Sequence, residues 1–258
     1  MHPLLNIAIK AAKKAGDLII RYLDRPNLIQ VNEKSPNNFV TNVDQLAEQE
    51  IIQMISEFYP EHRILAEETG ENNQHSDYTW IIDPIDGTNN FIHEHPHFSV
   101  SIGIKYKDRL EHGVIYDPLR QELFSATLGN GAFLNNHRLR VNHRTTTSLV
   151  IGMALGKITS QNIGPMLKAI SLLLPEVTAL RQSGSAALDC AYVACNRLDG
   201  LWGCGVSAWD IAAGILIIRE AGGIVSDFDG NDKCLELGNL ITGNPYLVNS
   251  LLELTKEL

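Results

Sequence analysis

One segment limits the possible folds of this chain more than any other: the run Trp80-Ile81-Ile82-Asp83-Pro84-Ile85-Asp86-Gly87-Thr88. Its bulky and β-branched start predicts a buried strand, and that strand delivers Asp83 at its end. Pro84 withholds a backbone donor and fixes φ, and Gly87 opens a turn in which Asp86 returns three residues later. Two carboxylates so close repel each other unless a cation lies between them. The pair could cap a turn. With the Ile85 carbonyl between them it also forms an all-oxygen donor set, which suits Mg²⁺, Mn²⁺ or Ca²⁺ better than zinc.

The chain is large enough to enclose such a strand. With 258 residues, 44% of them hydrophobic and 20% charged, it can bury most of its apolar surface as one large domain or two intimately packed halves. A disordered tail, a collagen-like repeat and a small disulfide scaffold are excluded. The longest apolar stretch, Ile211 to Ile218, falls short of the roughly 20 residues that span a membrane. Lys10, Lys13, Lys14 and Asp17 break the amino-terminal apolar pattern where a signal peptide needs continuity, so a soluble, cytoplasmic protein is expected. A net charge of -9 and a pI near 5.4 give the surface no general attraction for nucleic acid or anionic lipid. An anionic substrate therefore needs a positive group recruited locally. Cys190, Cys195, Cys204 and Cys234 contain no C-x-x-C pair and read as reduced, mostly buried thiols.

Apolar periodicity predicts a helix over 4–23 and a second from near Asp44 to Phe58, with a polar loop from Lys34 to Asn38 between them. Ile64-Leu65-Ala66 and Trp80-Ile81-Ile82 are short strands that stop at acidic residues. Residues 98–106 alternate apolar and small or polar side chains, the period of a strand with two unlike faces, and further strands follow near 114 and 123. The second half alternates: a strand at 149–154, helix 161–173, strand 177–181, helix 185–196 and strands near 199 and 224. Helix 209–221 ends at Gly222-Gly223, and Asn244-Pro245 opens a final helix. The fold class is α/β in layers. Residues 1–258 form a single unit with subdomains of about 1–145, helices plus a mostly antiparallel sheet, and 146–258, α/β.

Three further features bear on chemistry. Glu67 and Glu68 end the strand before Asp83; on its own such a pair is an ordinary solvated turn. Asp210, in Trp209-Asp210-Ile211-Ala212-Ala213-Gly214, stands at a helix start, where an acidic N-cap is an adequate explanation. Ser185, in Ser183-Gly184-Ser185-Ala186, lacks the Gly-x-Ser-x-Gly frame of a serine nucleophile.

Together the blocks Ala66-Glu67-Glu68-Thr69-Gly70, Asp83 through Phe91, Trp209 through Gly214 and Glu220-Ala221-Gly222-Gly223 resemble the inositol monophosphatase family of metal-dependent, lithium-sensitive phosphatases, within it the bacterial SuhB-like branch. The similarity continues through Lys34-Ser35-Pro36, Thr41-Asn42-Val43-Asp44, the Gly129–Asn135 hairpin and Gly184-Ser185-Ala186-Ala187, so it covers nearly the whole chain. The resemblance implies a five-layered αβαβα sandwich of the inositol monophosphatase and fructose-1,6-bisphosphatase type, a homodimer, and two to three Mg²⁺ ions per site. Glu67, Asp83 and the Ile85 carbonyl would hold a first ion, and Asp83, Asp86 and Asp210 a second. Glu67 would orient water at a third. Thr88 would stand beside the attacking water with Asp44 behind it, making Glu67, Thr88 and Asp44 the catalytic set. Substrate contacts would come from Asp86, Gly87, Thr88, Gly184, Ser185, Ala186 and Asp210.

The implied function is hydrolysis of inositol 1-phosphate or a related polyol or sugar phosphate by metal-activated water. The alternatives are a same-fold phosphatase for fructose 1,6-bisphosphate, NADP or 3′-phosphoadenosine 5′-phosphate, or a partner protein in transcription and ribosome biogenesis. Charge argues against strong direct RNA binding. One departure is clear. The family usually carries a glutamate that binds substrate hydroxyls seven residues before the Trp-Asp aspartate; here that position is Gly203. Relaxed or altered substrate choice is expected from its loss. His93, His95 and His97 follow the motif in a loop and fit a structural or subunit-contact role better than a metal site. Arg181 fits an interface contact or a plain salt bridge equally well.

Overall fold

Residues 2–35, 38–72, 74–142, 148–156 and 163–255 are described by the computed structural model, and they stack in five layers. The helices are α1 (Pro3–Leu23), α2 (Asn42–Phe58), α3 (Thr88–Ile92), α4 (Ile163–Leu173), α5 (Ala186–Ala194), α6 (Ala208–Glu220), α7 (Cys234–Leu237) and α8 (Pro245–Thr255). In order, α1 and α2 cover an eight-stranded sheet, α5 and α6 fill the middle, a five-stranded sheet follows, and α4 and α8 close the far side. This is the expected αβαβα sandwich. The subdomain boundary expected near 145 falls outside the described residues, as do Pro36 and Asn37 of the polar loop and the first two residues of the helix expected from 161.

The larger sheet runs His137–Arg138, Gly131–Leu134, Glu122–Thr127, Arg109–Asp117, Ser99–Tyr106, Tyr78–Asp86, Arg63–Ala66, Gly70–Glu71. It is antiparallel except where Arg63–Ala66 pairs parallel with Tyr78–Asp86. The smaller sheet runs Ala179–Arg181, Val150–Leu155, Gly200–Cys204, Asn239–Gly243, Ile224–Ser226; its first three strands are parallel and the rest antiparallel. A separate hairpin, Val31–Ser35 with Asn38–Thr41, lies ahead of α2.

Small residues let the layers close. The buried face of α1 is Ala8, Ala11, Ala12 and Ala15 with Leu4, Leu5 and Ile19, and the His2 imidazole caps its start by accepting from the Leu4 N–H at 3.3 Å. The apolar run of α6 is buried on all sides because both sheets flank it, which explains a hydrophobic stretch with no amphipathic period. Among the described residues no helix is long and apolar enough to cross a membrane.

The strand expected over 98–106 is present as Ser99–Tyr106, but its two faces are not unlike in exposure: Ser99 and Ser101 are as buried as Val100 and Ile102. Helices cover both sides of the sheet, and on the α6 side small residues stand where a solvated sheet would carry polar ones. Gly103 and Gly113 pair across adjacent strands, and a Cβ on either would come within 2.8 Å of Ala212 or Ala213. The absence of two methyl groups sets how deeply α6 sits, and with it the position of Asp210 in its first turn.

Gly113→Ala is therefore expected to destabilise the protein by about 1–3 kcal/mol through overpacking. Gly164→Ala, where a methyl meets open space on α4, should be neutral or stabilising by up to about 1 kcal/mol. Urea unfolding of the two variants measures the contrast.

Candidate functional site

A spacing of three puts Asp83 and Asp86 on opposite faces of a regular strand. They reach the same side because the pairing with Ser99–Tyr106 slips: Asp83 stands opposite Ser101 and Asp86 opposite Ser99, so Pro84 and Ile85 form a bulge with one extra residue. Beside them the parallel register sets Ala66 against Ile82, and Glu67 extends it, its N–H bonded to the Ile82 carbonyl at 3.1 Å. The first turn of α6 brings in Asp210 from the other half of the chain. Asp83, Asp86 and Asp210 each present an oxygen within 4.8 Å of the others. All three line a cavity of about 370 Å³, as do Glu67, Thr88 and Ser185.

Backbone donors hold each of the three aspartates. Asp83 accepts from the Ile85 N–H at 3.0 Å, and Asp210 from the Ser207 N–H at 2.8 Å in a capping box. Asp86 is gripped from the second half by the Ser185 hydroxyl, the Ala187 N–H at 2.8 Å and the Ala186 N–H at 3.2 Å. Ser185 and Ala186, expected to contact substrate, thus spend donors on Asp86. Gly87 has φ +101, and a Cβ there would press on the His97 and Gly184 carbonyls. The Thr88 hydroxyl lies 2.7 Å from Asp44 Oδ1 and 3.1 Å from the Ile85 carbonyl. Asp44 is fully buried and takes the Thr41 N–H at 2.8 Å and the Thr41 hydroxyl at 2.5 Å on its other oxygen. Thr88 therefore has its proton committed and its lone pairs available to accept from a water.

Burial raises the pKa of every carboxylate in the cluster, and mutual repulsion adds to it. Asp83 lies well above the ordinary range, through desolvation first and then the charges of Glu67, Asp86, Asp210 and Asp44. Burial lifts Asp86 to about 6 against its hydrogen bonds from Ser185, Ala187 and Ala186, and lifts Asp210 to about 8 with help from Asp86. Glu67 is also raised by burial, partly offset by the Lys34 ammonium at 3.3 Å. Four crowded acids that resist ionisation are what a divalent cation would relieve, and hard carboxylate oxygens suit Mg²⁺.

The structure thus brings together Asp44, Glu67, Asp83, Ile85, Asp86, Thr88, Ser185 and Asp210, with Gly87, Gly184 and Ala186 on the same cavity wall. Gly203 is not on the cavity wall itself but pairs in the smaller sheet with Ala154, which is; its missing Cβ faces Ala154 and Leu240 at 3.3–3.5 Å. The histidines do not converge. His93 and His95 are exposed, while His97 turns inward edge-on to Tyr192, and burial lowers it to about 4. Arg181 is exposed and donates to the Leu180 carbonyl at 3.1 Å. The four cysteines are free thiols, all but Cys195 buried.

Some supporting residues were assigned no role from the sequence. Asn90 donates to the His97 and Ser183 carbonyls at 2.7 and 2.8 Å and so ties the motif helix to the Gly184 loop. Asp189, raised to about 7 by burial, accepts the Ser183 hydroxyl. Lys34 reaches Glu68 at 2.6 Å, and Glu48 lies beneath the Glu67-Glu68 turn. The i, i+4 spacing of Asp44 and Glu48 could have marked both as one face of α2.

The model of the inositol monophosphatase family matches residues 1–257. The Nus factor SuhB of Pseudomonas aeruginosa is 46% identical over 258 residues, covering 98% of this chain and 95% of its own, and that of Escherichia coli is 46% identical over 254 residues with the same coverage. Among solved structures, the extragenic suppressor protein suhB of Bartonella henselae superposes with a TM-score of 0.94 at 38% identity, covering 99% of both chains. An inositol monophosphatase from Anabaena gives 0.87 at 34% identity, covering 99% of this chain and 96% of its own.

The raised carboxyls fix the sign of a pH effect. Asp210 near 8, with Glu68 and Asp189 near 7, keep protons in the folded chain that the unfolded chain has lost above about pH 4, so stability falls as pH rises through 7–8. His97 and His112, lowered to about 4, act in the opposite sense only below about pH 6.5. In chelator the melting temperature should drop by several degrees between pH 6.5 and 8.5, and Asp210→Asn should flatten the slope in a thermal scan.

Proposed function

The chain belongs to the inositol monophosphatase family, and from that premise we propose that it is a Mg²⁺-dependent phosphomonoesterase for inositol 1-phosphate or a related polyol or sugar phosphate. The observation that carries this is the convergence of Asp83, Asp86 and Asp210, with Glu67 beside them, on a cavity also lined by Thr88, whose hydroxyl is held by the buried Asp44.

The donor set fits the metal: Glu67, Asp83 and the Ile85 carbonyl would hold one ion, and Asp83, Asp86 and Asp210 a second, with Glu67 orienting water at a third. Bound Mg²⁺ would offset the dianionic charge of the ester, lower the pKa of a water and stabilise the leaving alkoxide. The chain's own part is to hold and orient. Asp44 accepts a hydrogen bond from the Thr88 hydroxyl, so the threonine oxygen accepts in turn from the attacking water and aims it. The N–H groups of Gly87 and Thr88, at the turn into α3, would receive the phosphate oxygens. The network around Asp86 keeps that carboxylate fixed while charge moves in front of it. Family membership also supports a homodimer, lithium sensitivity and a cytoplasmic setting.

A second reading has its own support. Relatives at 46% identity are named as Nus factors, so a role as a partner in transcription can coexist with catalysis. An Asp83→Asn variant separates the two. It should retain the fold by circular dichroism yet hydrolyse inositol 1-phosphate at less than about 1% of the wild-type kcat, beyond the 10–100-fold typical of outer-shell changes. Retained turnover would refute the metal assignment, and full complementation of a strain lacking the gene would favour the partner role.

Gly203 bears on specificity. Without a carboxylate there, kcat/KM for inositol 1-phosphate, glycerol 2-phosphate and other polyol phosphates should agree within about tenfold, because sites that pair substrate hydroxyls discriminate far more strongly. A phosphate-release panel with and without chelator, including fructose 1,6-bisphosphate and 3′-phosphoadenosine 5′-phosphate, measures this. A large inositol preference would overturn it.

A further inference from the structure

We propose that Glu48, in the second turn of α2, is a positioning residue that sets how tightly the acidic site holds its divalent cation, because it fixes the backbone from which Glu67 projects; this rests on Glu67 being a metal ligand. Glu48 has no exposed surface. Its Oε2 accepts from the Glu68 N–H and its Oε1 from the Thr69 N–H, both at 2.8 Å. The preceding amide, that of Glu67, donates to the Ile82 carbonyl at 3.1 Å. Three successive N–H groups are thus tied down, two by one buried carboxylate through charge-assisted bonds and the third by the strand that carries Asp83. The backbone around Glu67 is therefore restrained on both sides, and from that restrained position its side chain lines the cavity.

The same helix face carries a second buried carboxylate one turn earlier. Asp44 holds Thr88, and Glu48 holds the Glu67 turn. The capping box of Thr41 and Asp44 anchors the start of α2, so one rigid element positions two sides of the cavity. A carboxylate is required at 48, not only a side chain of that volume. Glutamine is nearly isosteric but offers one acceptor oxygen, and its NH₂ group would face a backbone N–H, donor against donor. The loss falls on the orientation of Glu67, with no substitution in the cluster itself. Outer-shell partners of metal-binding residues typically affect affinity 10–100-fold.

The test is isothermal titration of the full chain with Mg²⁺, comparing the wild type with Glu48→Gln, Glu48→Asp and Glu67→Gln, beside melting temperatures in chelator. Glu48→Gln should weaken Mg²⁺ binding about 10–100-fold. The Mg²⁺ concentration for half-maximal hydrolysis should rise in step, and kcat at saturating Mg²⁺ should fall less than affinity does. Glu48→Asp keeps the charge but is too short to reach both amides, and should lose affinity to a lesser degree; it carries the test if the glutamine variant does not fold. Wild-type affinity in a folded Glu48 variant, with only the melting temperature lowered, would overturn the proposal and leave Glu48 as a structural anchor. Wild-type affinity in Glu67→Gln would instead overturn the assignment of Glu67 as a ligand.

Discussion

Repulsion among buried carboxylates is the constraint around which this molecule is built. Asp83, Asp86 and Asp210 lie within a few ångströms of one another with Glu67 beside them, and each is harder to ionise than in water. Nothing in a hydrophobic core would gather them; each is held by bonds that oppose the repulsion. The donors are overwhelmingly backbone N–H groups at the ends of elements: Ile85 at the bulge, Ser207 at the start of α6, and Ala186 and Ala187 at the start of α5. Helix starts supply unpaired N–H groups with a positive local field, so they are where an α/β sandwich can tolerate negative charge.

That requirement explains why the middle layer is made as it is. Two helix starts from the second half must meet one strand end from the first, and both α5 and α6 must lie close to the larger sheet. Gly103 and Gly113 remove the methyl groups that would hold α6 away, and Gly214 does the same where α6 crosses α5 at Cys190. Asn90 and the Ser183–Asp189 bond then register the loop that carries Ser185 against the motif helix. The glycines are not there for conformational freedom. They are there for distance.

How much of this was legible in the sequence follows from the range of each interaction. The Trp80–Thr88 run announced both aspartates because strand, proline and glycine are local signals, and α1, α2 and the final helix followed from periodicity and their caps. The order of the layers did not follow from periodicity; it came through resemblance to a family. Alternation over 98–106 predicts two unlike faces because serine and glycine look polar, whereas burial against α6 depends on a partner 109 residues away, as the Gly103–Ala212 contact shows. Glu48, Asn90 and Asp189 escaped for the same reason. A single glutamate in an amphipathic helix is indistinguishable from a solvated one until the turn it supports is known.

The distribution of charge between the halves has a further consequence. Asp86 belongs to the first half and most of its hydrogen bonds come from the second, while Asp210 belongs to the second half and its electrostatic neighbours to the first. The junction between halves is therefore a place where attraction through hydrogen bonds and repulsion between charges are set against each other. Removing the repulsion strengthens the junction without altering a single packing contact. Any cation that binds the folded cluster and not the unfolded chain stabilises the whole by an amount that grows with the logarithm of its concentration. In this architecture the acids that would do chemistry are also the seam of the fold, so a substitution that relieves their repulsion should favour the folded state even as it removes what a metal would bind.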